Sequence, residues 1–375
     1  KWAFQHVREL VPSANIKNNP SQAQNLRYEK YDFSAVKVQL DNQSQLAYDE
    51  FLKTTDTDAL IILKDGIIVE ERYFHDMARD TPHILMSVSK SILGLLIGIL
   101  IDQKTFKADD KACAILPELN STAYKEATIR DLLDMRTGVT FIEDYLATSG
   151  LMIDYRKATN WNPVENNESP SDLRSFYRLL NKKSHPDGKQ FNYVSPNSDL
   201  LGWIIERSTG ERFSDLLSDL FWKPLGATMP SYITVDRLGA PRVAGGLCTT
   251  AIDLALVGQL FLDYGFTNDQ QILPKNWLQD IQKNGSRDAW LEGNFVEYFP
   301  NMDMHYRSKW YVDHGSNNPK AELVFGLGVH GQNLFINSKK RIVIAKFSSQ
   351  AAPLDPQLIS LTYKWVRTLI NELDG

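Results

Sequence analysis

The sequence predicts an α+β protein: an antiparallel sheet flanked by helices, with a mostly α-helical inserted domain. A hairpin pattern near each end of the chain and a series of helical patterns between them carry this prediction. The chain has 375 residues, which is enough for more than one domain. We assign residues 1–105 plus 239–375 to the sheet domain and 106–238 to the helical domain, and we expect the functional site at their interface.

The hairpin patterns are the strongest strand signals. Residues 59–63 (ALIIL) and 67–69 (IIV) flank Asp65-Gly66, a dipeptide typical of a tight turn because both turn positions need a positive φ. Residues 333–336 (NLFI) and 341–347 (RIVIAKF) are the second pair of apolar runs. Strands from both ends of the chain can therefore share one sheet, which also brings the termini together.

The longest apolar run, residues 92–101 (ILGLLIGILI), predicts a buried helix. Ten helical residues span about 15 Å, half of what a bilayer core requires, so we predict no membrane span. The chain shows no signal-peptide pattern, and its start at Lys1 indicates trimming.

Other helices are predicted from capping residues and from glycines that end helices. The predicted starts and ends are Thr128 and Gly138, Asp199 and Gly210, Thr250 and Gly265, and, for the C-terminal helix, Asp355 as the cap before Pro356.

Composition excludes several classes of function. The chain has 41 Lys+Arg against 46 Asp+Glu, a net charge of −5, which disfavours nucleic acid as a partner. Cys113 and Cys248 fit neither a disulfide framework nor a zinc spacing, so we predict free thiols and leave a single bridge open. The seven histidines form no metal-binding motif, so no metal and no cofactor are predicted. Residues 326–331 match GxGxxG, but a strand pattern follows them where a nucleotide site needs a helix.

Two Ser-x-x-Lys pairs differ in their context. Ser34 and Lys37 lie in an alternating pattern with no apolar helix after it, so we interpret them as structural or exposed. Ser87 and Lys90 directly precede the apolar helix and share one helix face. A lysine buried there has a lowered pKa and can accept the serine proton, which activates the hydroxyl as a nucleophile. The alternative is a capping serine with a lysine that reaches solvent.

Two further segments favour the catalytic interpretation. Tyr193 stands at the start of the helix pattern 199–208 and is a candidate proton relay if a cationic neighbour lowers its pKa. Its alternative is a core or rim aromatic. Residues 325–332 (FGLGVHGQ) are a Gly-rich strand that could leave main-chain N–H groups free for substrate, or simply a bulged edge strand.

These motifs, in this order and spacing, resemble the serine β-lactamase and penicillin-binding-protein superfamily. Within it, the chain most resembles the 6-aminohexanoate-dimer hydrolase and esterase branch. The resemblance implies a β-lactamase/DD-peptidase-like fold and runs from about residue 84 to residue 349. The matching strings are MSVSKSILGLLIG, IRDLLDMRTGV, YVSPNSDLLGWIIERSTG, AGGLCTTAIDLALVGQLFLDYG and GLGVHGQNLF.

The resemblance also implies site roles. Ser87 resembles the acylated nucleophile, Lys90 its proton acceptor and Tyr193 the partner acid/base, while the amides of Ser87 and Val329 resemble an oxyanion hole. Tyr145 resembles a loop tyrosine that closes over substrate. The remaining residues expected to contact substrate are Trp161, Ser195, Trp310 and His330.

The chain departs from its relatives at several positions. β-Lactamases and penicillin-binding proteins carry Lys-Thr-Gly or His-Thr-Gly on the last strand, whereas residues 326–328 here are Gly-Leu-Gly. A cation at this position would pair with the carboxylate of the substrate, so its absence argues against β-lactams and cell-wall peptides as substrates. Arg156 replaces an acid suited to a substrate amino group, and Ala244 replaces a polar residue. No ionic anchor for substrate is evident.

We therefore expect a serine hydrolase that forms an acyl-enzyme with small carboxylic esters or linear amides. The alternatives are a β-lactamase or D-Ala-D-Ala peptidase, a transacylase, or a binding module that no longer turns over. The resemblance leaves the compartment open between export and cytoplasm, and it leaves the natural substrate and the oligomeric state open.

Overall fold

A computed structural model describes residues 1–40, 44–166, 168, 171–315 and 322–374. Within these residues, the largest sheet has seven strands in the order β11-β12-β13-β14-β15-β4-β5, and every neighbouring pair is antiparallel. The neighbouring strands β15 and β4 come from opposite ends of the chain. The predicted α+β fold class, with its antiparallel sheet built from both chain ends, is confirmed.

The strands are short and pair mostly with their neighbours in sequence. In chain order they are β1 Ser13–Ile16, β2 Lys37–Gln39, β3 Gln45–Ala47, β4 Thr57–Lys64, β5 Ile67–Tyr73, β6 His83–Ile84, β7 Ser231–Thr234, β8 Leu247–Thr249, β9 Phe266–Thr267, β10 Gln270–Gln271, β11 Met304–Arg307, β12 Trp310–Asp313, β13 Leu323–Gly328, β14 Gln332–Asn337 and β15 Ile342–Ser348.

The helices fill the middle of the chain and cover both faces of the large sheet. In chain order they are α1 Trp2–Gln5, α2 Tyr48–Thr54, α3 Val88–Asp102, α4 Ala112–Ile115, α5 Ile129–Leu133, α6 Leu151–Ala158, α7 Leu173–Phe176, α8 Pro196–Thr209, α9 Phe213–Leu217, α10 Lys223–Leu225, α11 Ala251–Leu262, α12 Lys275–Lys283, α13 Arg287–Leu291 and α14 Pro356–Glu372.

Both predicted hairpins are confirmed. Asp65 and Gly66 have φ values of 51° and 77° and join β4 to β5, as a two-residue turn with two positive φ values requires. The second hairpin joins β14 to β15. Because β14 follows residues 326–331 directly, the GxGxxG match lies between two strands and not before a helix.

Several helix caps behave as predicted, but two helix ends do not. Helix α8 begins at Pro196 and not at Asp199, so that predicted start was wrong. Asp355 accepts hydrogen bonds from the amides of Gln357 and Leu358 at the start of α14, and Gly210 ends α8 with φ 74°. Thr128 forms its capping box, but α5 ends at Leu133 and not near Gly138, so that end was wrong. A Cβ at Gly138 would lie 1.7 Å from the carbonyl oxygen of His185. This glycine therefore permits close backbone packing and does not end a helix.

Helix α3 runs through the core between the large sheet and the helical segment. Residues from Val88 to Leu100 are all buried, which fits a helix that is apolar on every side. It packs with α11 on one face of the sheet, whereas α2 and α14 pack on the other face. Its first turn follows β6, the edge strand of a small sheet ordered β1-β7-β8-β6. The two sheets thus fix the position at which α3 begins.

Residues 106–238 contain helices α4 to α10 and the single named strand β7, within the described part of that segment. The division into two domains stays a prediction. No helix formed by the described residues combines the length and apolarity needed to cross a membrane. Both cysteines are free, Cys248 buried and Cys113 partly buried.

Candidate active site

Ser87 lies at the junction between β6 and α3. It is the residue before the first helical residue, and its side chain makes no capping hydrogen bond. The preceding Met86 has a φ of 46°, a left-handed conformation that non-glycine residues seldom adopt. Lys90 lies one turn later on the same face and donates a hydrogen bond of 2.7 Å from Nζ to the Ser87 Oγ. The alternative of a capping serine is therefore excluded.

The Lys90 amine is held inside the protein. The side chain is 1% exposed, and Nζ also donates to the carbonyl oxygen of Ala244 at 2.6 Å. Burial lowers the pKa of Lys90 to about 8, although the negative charges of Glu143 and Asp199 act in the opposite direction. The lysine does not reach solvent, and a substantial fraction of it is neutral near physiological pH.

Tyr193 lies beside this pair. The Lys90 Nζ is 5.1 Å from the centre of the Tyr193 ring, and the ring stacks on Phe295 with centroids 4.7 Å apart. Burial and the nearby charge of Glu143 raise the pKa of Tyr193, and its hydrogen bond with Ser87 only partly offsets them. The expectation of a lowered tyrosine pKa was therefore wrong. The phenol keeps its proton and can donate it.

Strand β13 brings main-chain amides next to Ser87. It is an interior strand between β12 and β14, not the bulged edge strand of the alternative interpretation. A Cβ at Gly326 would lie 2.8 Å from the Ser91 Oγ, so this glycine allows β13 to lie against the first turns of α3. Val329 follows the strand and lines the cleft together with Ser87. Among the described residues, neither of their amides has a main-chain or side-chain acceptor outside regular elements.

Glu143 is a cleft residue that the sequence analysis missed. Its carboxylate accepts hydrogen bonds from the amide and hydroxyl of Ser195 and, at 2.6 Å, from the Tyr145 hydroxyl. Glu143 therefore connects the loop that carries Tyr145 to the start of α8. The two residues lie close together in the segment 141–145 (FIEDY), but the sequence analysis singled out only the tyrosine.

A second missed residue is Arg242, in the segment between β7 and β8. Its guanidinium lies 4.3 Å from the centre of the Trp161 ring, and both side chains line the cleft beside Ser87 with His330. The sequence showed no evident ionic anchor for substrate, but the structure places this arginine in the lining of the cleft. Arg156 also lines this part of the cleft, where its guanidinium donates to the carbonyl oxygens of Tyr145 and Ala147.

The structure brings most of the predicted residues together: Ser87, Lys90, Tyr193, Val329, Tyr145, Trp161, Ser195 and His330. Trp310 is the exception, and the prediction that it lines the pocket was wrong. It is fully buried against Phe261 in the core beneath α3 and α11. Side chains alternate along a strand, so the next residue, Tyr311, points to the other face and lines the cleft.

Comparison with known proteins now identifies the family. The family model described as Beta-lactamase matches residues 48–364, most of the chain. The chain belongs to the beta-lactamase family. A 6-aminohexanoate-dimer hydrolase of Paenarthrobacter ureafaciens is 30% identical over 353 residues, which cover 94% of this chain and 86% of that protein.

Solved structures with a similar fold agree with that assignment. A Bacillus anthracis protein, provisionally assigned as a 6-aminohexanoate-dimer hydrolase, has a TM-score of 0.89 and 26% identity, covering 100% of this chain and 94% of its own. EstCE1, a hydrolase with promiscuous acyltransferase activity, has a TM-score of 0.63 and 16% identity, covering 84% of this chain and 98% of its own, and shares the fold. The family and the relatives point to a serine hydrolase, and the predicted resemblance is confirmed.

Proposed function

We propose that this protein is a serine hydrolase that forms an acyl-enzyme with small carboxylic esters and, second, with linear amides. The main support is the hydrogen bond of 2.7 Å between Ser87 and a fully buried Lys90. A neutral amine at that distance can accept the hydroxyl proton as the oxygen attacks a carbonyl carbon. A charged, solvated lysine could not perform this step.

The proposed reaction has two halves. In the first, Ser87 Oγ attacks the substrate carbonyl, Lys90 takes the proton, and the amides of Ser87 and Val329 stabilise the oxyanion. Tyr193, which its raised pKa keeps protonated, donates its proton to the leaving group and regains a proton from the lysine. In the second half, water releases the acyl group along the reverse proton path. All of these groups belong to the chain itself.

Support for esters and small amides comes from the relatives and from residues 326–328. One relative carries the name 6-aminohexanoate-dimer hydrolase, which is a linear-amide hydrolase by its name, and one fold neighbour is a hydrolase with acyltransferase activity. Gly326 and Gly328 supply no cation for the carboxylate of a β-lactam. We therefore place ester hydrolysis ahead of β-lactam hydrolysis.

The test uses 4-nitrophenyl butyrate with mass spectrometry of the trapped acyl adduct. Wild-type protein should carry one butyryl group on Ser87, and Ser87→Ala should lose the adduct and about a million-fold in kcat. Ser34→Ala is the matched control, because Ser34 belongs to the exposed Ser-x-x-Lys pair. An adduct on another serine would refute the assignment. A stoichiometric burst without further turnover would instead indicate a binding module, and faster turnover of nitrocefin would indicate a β-lactamase.

A further inference from the structure

Two of the three nitrogen atoms of the Arg242 guanidinium lack a hydrogen-bond partner within the described part of the chain. These atoms, Nε and Nη1, are buried, and no acceptor for them exists among the described residues. The group lies between two aromatic rings, 4.3 Å from the centre of Trp161 and 5.4 Å from the centre of Tyr155. The contacts with these two rings hold the guanidinium in place, but they do not provide hydrogen-bond acceptors for Nε and Nη1.

Unused buried donors are unfavourable unless a ligand satisfies them. The buried carboxylate of Asp199, whose pKa burial raises and the charge of Arg242 lowers, does not accept a hydrogen bond from these two nitrogen atoms. Its oxygens accept from the amide of Ala244 and from the hydroxyl of Tyr155, which itself carries the stacked guanidinium. Arg156, the other arginine of the cleft, is already bonded to loop carbonyls. Arg242 is thus the arginine in this pocket whose fork of donors is available to a substrate.

The position of Arg242 identifies the part of the substrate that it meets. Tyr193, the proposed proton donor to the leaving group, lines the aromatic part of the cleft with Phe295 and Tyr311. Arg242 lines a second part of the cleft, which also includes Ser87 but which Tyr193 does not line. The leaving group departs toward the proton donor, so the acyl group occupies the arginine side.

The charges of this pocket favour an anion. Arg156 and Arg242 contribute two positive charges to its lining, and Glu143 contributes one negative charge. Both Glu143 oxygens already accept hydrogen bonds from Ser195, and one of them also accepts from Tyr145. A carboxylate that enters this pocket would therefore meet Glu143, whose oxygens already accept hydrogen bonds, and Arg242, whose buried donors have no acceptor in the part of the chain that the structure describes.

We propose that Arg242 binds a carboxylate at the far end of the acyl group. The preferred substrates are then monoesters or monoamides of dicarboxylic acids. This inference rests on the proposed function and names its substrate class. A planar guanidinium fits a carboxylate with two parallel hydrogen bonds, so Arg242 is a specificity-determining residue. Residues 326–328 lack the lysine or histidine that β-lactamases carry there. Arg242 supplies a cation instead, on the side of the cleft that we assign to the acyl group.

The test compares two 4-nitrophenyl esters of equal length. One is the hydrogen adipate, with a free carboxylate, and the other is the adipamate, with a neutral primary amide in its place. A charge-assisted pair predicts a kcat/KM ratio of about 10 to 100 in favour of the anion in the wild type. Arg242→Gln should bring the ratio close to 1, and Arg242→Lys should give an intermediate value. The shared acylation chemistry cancels in this ratio.

Arg156→Gln is the matched control, and it should change the ratio less than about threefold because its donors are already used. Inhibition of butyrate ester turnover by adipate but not by adipamide, measured on wild-type protein, provides a test that needs no variant to fold. Equal turnover of both esters through Ser87, or equal inhibition, would overturn the carboxylate site and leave the proposed function intact. The absence of a Ser87 adduct with any ester would overturn both.

Discussion

The pH dependence of acylation is the sharpest consequence of the buried amine. Lys90 must be neutral to accept a proton, and burial lowers its pKa to about 8. At pH 7 about a tenth of the molecules then hold a neutral Lys90, whereas a lysine with an ordinary pKa would be neutral in about 0.03% of them. From pH 7 to pH 9 the neutral fraction, and with it kcat/KM, should rise about 10-fold.

The assay is the initial rate of 4-nitrophenyl butyrate hydrolysis from pH 5.5 to 10, at substrate concentrations far below KM. Under these conditions kcat/KM reports the pKa values of the free enzyme. The same rates with Ser87→Ala give the background hydrolysis by hydroxide. Lys90→Arg keeps a positive charge that cannot be lost, so it should reduce kcat/KM by about 10²- to 10⁴-fold across the whole range.

Lys37→Arg is the matched control, because Lys37 belongs to the exposed Ser-x-x-Lys pair and should leave the profile as in the wild type. A flat profile, or an inflection near pH 10, would show that no buried amine acts as the base. Full activity of Lys90→Arg would contradict the proton transfer directly.

Three further changes test other parts of the site and the fold. Tyr193→Phe should slow turnover of an anilide about 10²- to 10⁴-fold, and that of a 4-nitrophenyl ester much less, because only the poor leaving group needs a proton. Glu143→Gln removes a charge that raises the pKa of Lys90, so the inflection of kcat/KM should move to lower pH. Gly94→Ala places a Cβ 2.1 Å from the Ser308 carbonyl oxygen and should cost about 1–3 kcal/mol of unfolding free energy in urea denaturation.

Each of these variants has a matched control. Tyr306→Phe changes another buried tyrosine and should affect both substrates equally. Asp144→Asn neutralises the next carboxylate of the loop and should not move the inflection. Gly202→Ala lies on α8, with the nearest atom a valine methyl at 3.1 Å, and should cost less stability. Equal effects of a variant and its control would refute the corresponding explanation.

Local signals in the sequence predicted both hairpins of the large sheet and several helix caps. The Asp65-Gly66 turn and the cap at Asp355 depend on backbone preferences of a few adjacent residues, so a short window contains the information. The predicted helix end at Gly138 was wrong because this position needs a glycine for another reason. The backbone of His185, a residue distant in sequence, packs against it. A single sequence does not show which backbone segments will pack against each other.

The same distinction explains the site. Ser87 and Lys90 lie one helical turn apart, so their contact is visible in the sequence itself. Tyr193 and the Gly-rich segment that contains Val329 were candidates from their patterns, and the family resemblance gave them their specific roles. Glu143 and Arg242 meet the cleft through tertiary packing alone. Trp310 was assigned to the cleft in place of Tyr311, because a strand pattern does not show which face turns toward the cavity.

The close packing at Gly326 constrains how this protein could change under selection by antibiotics. Recovery of a β-lactam anchor requires a lysine or histidine at position 326, and its first side-chain carbon would lie 2.8 Å from the Ser91 hydroxyl. Ser91 in turn donates to the carbonyl of Lys309, so replacing it disturbs a second buried contact. Drug resistance by this route therefore requires coupled mutations, because each single change disturbs the packing between β13 and α3. The evolutionary barrier comes from the spacing of the backbone and not from the catalytic groups.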